Sequence, residues 1–341
     1  MRLLAGDIGG TNSRLIYVQD DCHPAIQHTK TYASYNYASL IQIIEDFLSY
    51  YDIRLPLDAA CLAVAGPVLS GCASITNLPW QICETELAKL LQTKHVSLIN
   101  DLVAAGYAIP GLQADDVLVV QQGENMRDAG TKLNAAVIAA GTGLGASHLV
   151  YQGDHYHAFS SEAGHAGFAP ETTVQEQLLA WLHEQHSHVS VEMLLSGPGI
   201  YTIYQFFRDI IGLPESTMVR EAMQDADTAQ VIGEHALAGD DVLCVRTLNC
   251  FIEIYGAVAG DITLHYYPVN AVYLAGGIAP KIRDMLASRT LVEAFTNKGP
   301  MRNNLQKIPL KLVLNDTLGL DGAIAYARQC YERAQPLLDR P

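Results

Sequence analysis

AVIAAGTGLGASHLVY, residues Ala136 to Tyr151, contains Gly141-x-Gly143-x-x-Ala146, the spacing of a dinucleotide fingerprint, and Glu162 follows where a ribose-binding carboxylate would stand. That fingerprint requires its glycines to lead from a strand into a helix, whose N-terminus receives the pyrophosphate. Here Ser147-His148-Leu149-Val150-Tyr151 is β-branched, aromatic and partly alternating, so a second strand is expected to follow. The stretch also lies in mid-chain, without a βαβ unit of about 30 residues around it. It reads as a β-hairpin, not an NAD site. Such a turn either supplies positive φ with no ligand, or it brings backbone N–H groups and the Thr142 hydroxyl to phosphate oxygens.

A second stretch bears on that choice. LLAGDIGGTNSRLIYV, residues Leu3 to Val18, has the same design of apolar strand, glycine turn and alternating strand. Two such hairpins, each near the start of one half, favour a phosphate clamp and a duplicated α/β fold with a cleft between its halves. Strands are expected at Leu3–Ala5, Arg14–Val18, Ala59–Val64, Val96–Ile99, Asn270–Ala275 and Leu310–Leu314. Helices are expected at Tyr37–Tyr50, Glu84–Leu91, Thr173–His186, Gly199–Ile211, Met218–Ala238, Asp241–His265 and Asp321–Ala334, with one more after Asp101.

The chain of 341 residues is long enough for two cores. Hydrophobic residues are 49% and charged ones 17%, a soluble balance. A formal charge of −15 argues against nucleic acid or an acidic membrane as partner. An anionic ligand must then be held by local dipoles and a metal. The cysteines, Cys22, Cys61, Cys72, Cys83, Cys244, Cys250 and Cys330, are odd in number and lack a C-x-x-C pair, which suggests reduced thiols in a cytoplasmic protein. Asp7 interrupts the N-terminus before a signal-peptide core can form, and no unbroken apolar run of about 18 residues is present.

Four groups of residues carry candidate chemistry. Asp7, beside Ile8-Gly9-Gly10-Thr11-Asn12, is placed to hold Mg²⁺ or its waters, or else serves as an Asx-turn residue. Asn100-Asp101 falls at the carboxyl end of a buried strand, where open α/β sheets meet ligands. There the Asp suits a base for an attacking hydroxyl and the Asn suits a neighbouring hydroxyl; a helix N-cap explains the pair equally well. Glu162 and His165, three residues apart, suit the vicinal hydroxyls of a polyol. Glu192, an acid among apolar neighbours, suggests a half-buried, paired role or a first-turn acid. His183, His186 and His188 have metal-like spacing but read better as a solvated helix end, and Ser196-Gly197-Pro198-Gly199 reads as a helix start.

In order along the chain, LAGDIGGTNSRL, LINDLVAAGYAIP, AAGTGLGASHLV, SSEAGHAGFAP, HVSVEMLLSGPGIYTIY and YLAGGIAP resemble the motifs of the bacterial glucokinase family, and GLDGAIAYA is compatible. The resemblance implies an α/β, actin-like (ribonuclease H-like) ATPase fold of two α/β domains with a cleft between them. The small domain would be 1–110 plus about 315–335, and the large one 111–314. It implies that glucose is phosphorylated at its 6-hydroxyl by ATP with Mg²⁺, in a cytoplasmic homodimer. Asp101 would be the catalytic base. Asn100, Asp101, Glu162, His165 and Glu192 would bind sugar. Asp7 (also the metal ligand), Gly9, Gly10, Thr11, Asn12, Gly141, Thr142, Gly143, Gly276 and Gly277 would bind nucleotide. Two positions depart from the pattern: Ala163 replaces a common Gly and Gly167 a common Asp, changes that bear on pocket shape and sugar choice. A kinase for another hexose, a silent sugar sensor, and ADP or polyphosphate as donor stay open at this level.

Overall fold

The computed structural model describes residues 1–20, 26–75, 78–124 and 134–335. The first part of the chain runs β1 (Arg2–Ile8), β2 (Asn12–Gln19), β3 (Ile26–Ala33), α1 (Leu40–Tyr50), β4 (Ala59–Val64), β5 (Val68–Leu69), β6 (Cys72–Ser74), β7 (Gln81–Cys83), α2 (Glu84–Leu91), β8 (Val96–Asn100) and α3 (Asp101–Ala108). Next come β9 (Val117–Gln121), β10 (Ala135–Ala140), β11 (Leu144–Gln152), β12 (His155–Ser161), α4 (Thr173–His183), α5 (Gly197–Asp209), α6 (Thr217–Asp225), α7 (Thr228–Ala238) and α8 (Val242–His265). The chain closes with β13 (Ala271–Ala275), α9 (Arg283–Leu286), α10 (Arg289–Thr296), α11 (Arg302–Leu305), β14 (Leu310–Val313) and α12 (Leu318–Ala334). Two compact units share these elements. One is Met1–Gly111 with Gln152–Phe159 and the segment beginning at Thr317; the other is Leu112–Tyr151 with Ser160–Asp316. The short segment Gln152–Phe159 therefore groups with the first unit, whereas the sequence division put it in the larger one.

In the first unit the sheet order is β3-β2-β1-β4-β8. The strands β1, β2 and β3 form an antiparallel meander, while β1, β4 and β8 are parallel. Period-two alternation divides each central strand between two cores. Leu3, Ala5, Cys61 and Ala63 face a layer that includes Leu320 and Ala323 of α12, and Leu4, Ile8, Leu62 and Val64 face the layer with Ile43 and Phe47 of α1. Because β4 is buried on both faces, it reads as an unbroken apolar run. Register places Ile8, Val64 and Asn100 side by side, so the carboxyl ends of three parallel strands share one edge. Helix α12 meets α3 backbone to backbone: a Cβ on Gly322 would lie 1.7 Å from the Ala104 carbonyl oxygen.

The second sheet has the order β12-β11-β10-β13-β14-β9. Again an antiparallel hairpin, β10–β11, flanks parallel strands β10, β13 and β14. The echo between the two glycine stretches is thus an echo of topology. Within this unit α8 is the longest helix and is apolar enough by length and composition to cross a membrane, yet most of that window is buried inside the unit. Its Tyr255 hydroxyl donates to the carbonyls of Ile138 and Ala275, at 3.1 and 3.4 Å, pinning β10 and β13, the strands that lead into Gly141 and Gly276.

Three sequence expectations need correction. Met218–Ala238 is not one helix: α6 ends at Asp225, and Asp227 caps α7 by accepting from Gln230 N at 2.8 Å. The amphipathic pattern continued across this break and hid it. The helix expected from Tyr37 begins at Leu40, where Ser39 caps it. The cysteines are not all free: Cys72 and Cys83 are disulfide-bonded. They stand opposite each other on β6 and β7, a pairing that only strand register reveals. Cys61, Cys244, Cys250 and Cys330 are free thiols, and Cys22 lies outside the described residues.

Candidate active site

At the shared strand edge of the first unit, the turn after β1 closes through Gly9 N donating to Asn12 O at 2.9 Å. A Cβ on Gly9 would stand 3.1 Å from that same oxygen, so glycine fits the turn best. Ser34, buried after β3, holds the turn from behind. Its hydroxyl donates to Gly9 O and its amide to Thr11 O, both at 2.9 Å. Thr11 and Asn12 are left exposed at the tip. Asp7 is not an Asx-turn residue, for it lies inside β1 opposite Arg14 and Ala63. Burial pushes its carboxyl above the usual range, and the charge of Arg14 holds it back.

Asn100 ends β8 and caps α3. Its Oδ1 accepts from Leu102 N at 2.9 Å, and its Nδ2 donates to Gly66 O at 3.2 Å. The cap and the ligand role are compatible, since the amide keeps one N–H and one lone pair free in principle. Asp101 follows as the first residue of α3, with Oδ1 accepting from Leu102 N at 2.9 Å. Burial pushes its carboxyl up to about 6, the Leu102 amide opposes this, and the charge of Asp7 adds to it. A carboxylate poised near neutrality can take a proton from a hydroxyl without being permanently protonated.

In the second unit the Gly141-Thr142-Gly143 turn joins antiparallel strands, which removes the dinucleotide reading. It closes through Gly141 N donating to Gly143 O at 2.8 Å, and Gly197 N donates to Gly141 O at 2.9 Å. Ser196 caps α5 by accepting from Gly199 N at 3.1 Å, so the Ser-Gly-Pro-Gly run does begin a helix. Gly276, at φ +88°, allows β13 to pass close by: a Cβ there would sit 2.2 Å from Ala140 O. Nothing lies within 4 Å of the Cβ position of Gly277. Thr142 is exposed.

Glu162 and His165 also lie in this unit, 3.8 Å apart, with side chains 85% and 64% exposed. His188 Nε2 bonds the His165 carbonyl at 2.9 Å, and His183 Nδ1 meets His186 O at 3.3 Å. The histidines therefore make backbone contacts, and among the described residues no group of three His, Cys, Asp or Glu is arranged to hold a metal. Glu192 is half-buried and paired, as its apolar setting suggested, but its partner is the hairpin: Oε2 accepts from Leu144 N at 2.9 Å. Each unit thus assembles its own share of the expected residues. The first holds Asp7, Gly9, Gly10, Thr11, Asn12, Asn100 and Asp101; the second holds Gly141, Thr142, Gly143, Glu162, His165, Glu192, Gly276 and Gly277.

Sequence reasoning missed Ser34, Gly66 and Gly319. Ser34 and Gly66 act through hydrogen bonds to residues far along the chain, which leave no periodic or motif signal. Gly319 sits in the GLDGAIAYA run, and a Cβ there would come 3.2 Å from the Asp7 carboxyl carbon. That run was the available clue.

Comparison with known proteins decides the family. The glucokinase family model matches residues 4–330. A glucokinase of Trichormus variabilis is 39% identical over 336 residues, covering 94% of this chain and 97% of that one. The chain belongs to the glucokinase family. The crystal structure of a glucokinase from an Antarctic psychrotroph matches with a TM-score of 0.82 at 32% identity, over 96% of this chain and 99% of the other. A ROK family glucokinase from Streptomyces griseus, in complex with glucose and AMPPNP, matches at TM-score 0.65 and 19% identity, over 96% and 100%. At that identity the second likeness speaks for fold alone. The fold of this glucokinase-family chain is the actin-like ATPase fold, with two α/β units.

Proposed function

We propose that this chain transfers the γ-phosphoryl group of ATP to the 6-hydroxyl of glucose, giving glucose 6-phosphate and ADP, the entry step of glucose use. One observation carries the reading. A half-buried carboxylate, Asp101, held near neutral affinity for its proton, stands on the same strand edge as a glycine turn and a second carboxylate, Asp7. Phosphoryl transfer asks little covalent chemistry of a protein, so positioning and charge stabilisation supply most of the acceleration. Asp101 orients the 6-hydroxyl and accepts its proton as the oxygen bonds to phosphorus. Asn100, Glu162, His165 and Glu192 hold the other hydroxyls and so fix which oxygen faces the phosphate.

The turns that Gly9 and Gly141 close present the amides of Gly10 to Asn12 and of Thr142 and Gly143 to the phosphates, and Gly276-Gly277 lies by the adenosine. A single carboxylate with water and phosphate oxygens is a usual donor set for Mg²⁺, and Asp7 fits it, half-buried and raised in proton affinity as it is. Bound there, the ion would neutralise phosphate charge that the formal −15 of the chain cannot. We place the protein in the cytoplasm as a homodimer whose partners are the two small substrates, with neither nucleic acid nor membrane.

The test is a panel of sugars against ATP, ADP and polyphosphate, following hexose 6-phosphate by a coupled assay. Glucose-dependent ADP formation from ATP is expected, and it fails the reading if glucose and ATP yield nothing while another pair reacts.

A further inference from the structure

The residues expected to touch sugar and those expected to touch phosphate meet at one residue. Leu144 is the first residue after the Gly141-Thr142-Gly143 turn. Its N–H donates to Glu192 Oε2 at 2.9 Å, and its carbonyl oxygen lies 2.2 Å from where a Cβ on Gly164 would be. Gly164 sits between Glu162 and His165, so the backbone of that loop rests directly on the hairpin. Gly143 gives a third contact: a Cβ there would stand 2.5 Å from Glu192 Oε2. The same carboxylate therefore bonds one hairpin residue and packs against the glycine that precedes it. All of these residues belong to one unit and rest on its core, where Leu144 and Leu194 are buried.

We infer that Glu192 is a positioning residue for the nucleotide hairpin, acting through the Leu144 amide, in addition to its place among the sugar ligands. This rests on the proposed sugar-kinase reading. The physical ground is the strength and direction of the bond. A charged acceptor binds a backbone N–H more firmly than a neutral one, and it fixes the peptide that follows the phosphate-gripping turn. Preorganised amides bind phosphate without first giving up conformational freedom. Removing the carboxylate leaves the Leu144 N–H without its partner and opens space beside Gly143, so the turn loosens even when no sugar is present. A residue that touched sugar alone would leave nucleotide binding without sugar as it was.

The experiment compares Glu192→Ala, Glu192→Gln and His165→Ala with the wild type. Binding of AMPPNP with Mg²⁺ is measured by calorimetry in the absence of sugar, and glucose binding in the absence of nucleotide. Glu192→Ala is expected to weaken AMPPNP on the order of ten-fold, as loss of one charge-assisted hydrogen bond implies, and to weaken glucose as well. Glu192→Gln retains an oxygen that can accept from Leu144 N but loses the charge, so it is expected to restore part of the AMPPNP affinity. His165→Ala is expected to weaken glucose and leave AMPPNP unchanged. Melting curves for each variant check that it is folded. If folded Glu192→Ala binds AMPPNP as the wild type does, the inference is overturned; equal losses in the Gln and Ala variants also overturn it. A wild type that makes no ADP with glucose would instead sink the kinase reading, before any variant is measured.

Discussion

At the scale of single residues, the fold bears a cost at the site it builds. Asp101 has its carboxyl pushed from 3.8 to about 6 by burial first of all. A carboxyl whose folded value is raised is destabilising when ionised. The penalty is absent below the unfolded value, grows as pH rises through that interval, and is full above about 6. The shift of roughly two units corresponds to about 3 kcal/mol at most. Asp101→Asn is therefore expected to lose about 10²-fold or more in kcat while melting higher than the wild type at pH 8, with the gap narrowing towards pH 5. Calorimetric scans at the two pH values check this, and a lower melting point at pH 8 would refute it. In the wild type, kcat/KM should fall as pH drops through about 6, because the protonated acid cannot act as base. A second residue prediction concerns Ser34, whose hydroxyl bonds Gly9 O and lies 2.9 Å from the Ser13 hydroxyl. Ser34→Ala should raise the KM for ATP several-fold with that for glucose little changed, and cost about 1–2 kcal/mol in urea unfolding.

At the scale of elements, α12 sets the position of α3, and so of Asp101, from far along the chain. Gly322 lets the two backbones touch at Ala104. Gly322→Ala forces them apart, and strain of this kind typically costs about 1–3 kcal/mol or more. Reduced thermal stability together with lower kcat is expected, whereas normal kcat in a folded variant would free Asp101 from dependence on α12. The sequence made both strands of each glycine hairpin legible because apolar and alternating patterns are local. It could not show that α6 and α7 are separate helices, since their apolar periodicity runs on across Asp225 to Thr228. Strands β6 and β7, three residues each, are too short to carry a pattern, which is why the Cys72–Cys83 bond went unseen.

At the scale of the molecule, net charge opposes the proposed substrate. With a formal charge of −15, the chain repels MgATP at long range, and local amides must overcome that at contact. Raising salt from about 0.01 to about 0.15 M shortens the Debye length from roughly 30 to roughly 8 Å. Stopped-flow measurements at constant Mg²⁺ are expected to show faster ATP association as salt rises. A steep fall would mean that a local positive field, not the net charge, steers the nucleotide.

Sequence alone determined what depends on neighbours along the chain: the two glycine hairpins, the helix start at Ser196, the strand-end place of Asn100-Asp101, and the motif order that marks the family. Tertiary structure decided what depends on residues brought together from distant positions. It alone paired Cys72 with Cys83, set Gly319 against Asp7, and turned Glu192 towards the Leu144 amide. The reason is physical. Periodicity and turn chemistry act over a few residues, whereas hydrogen bonds and burial that tune a carboxylate depend on register and packing, which no local pattern encodes.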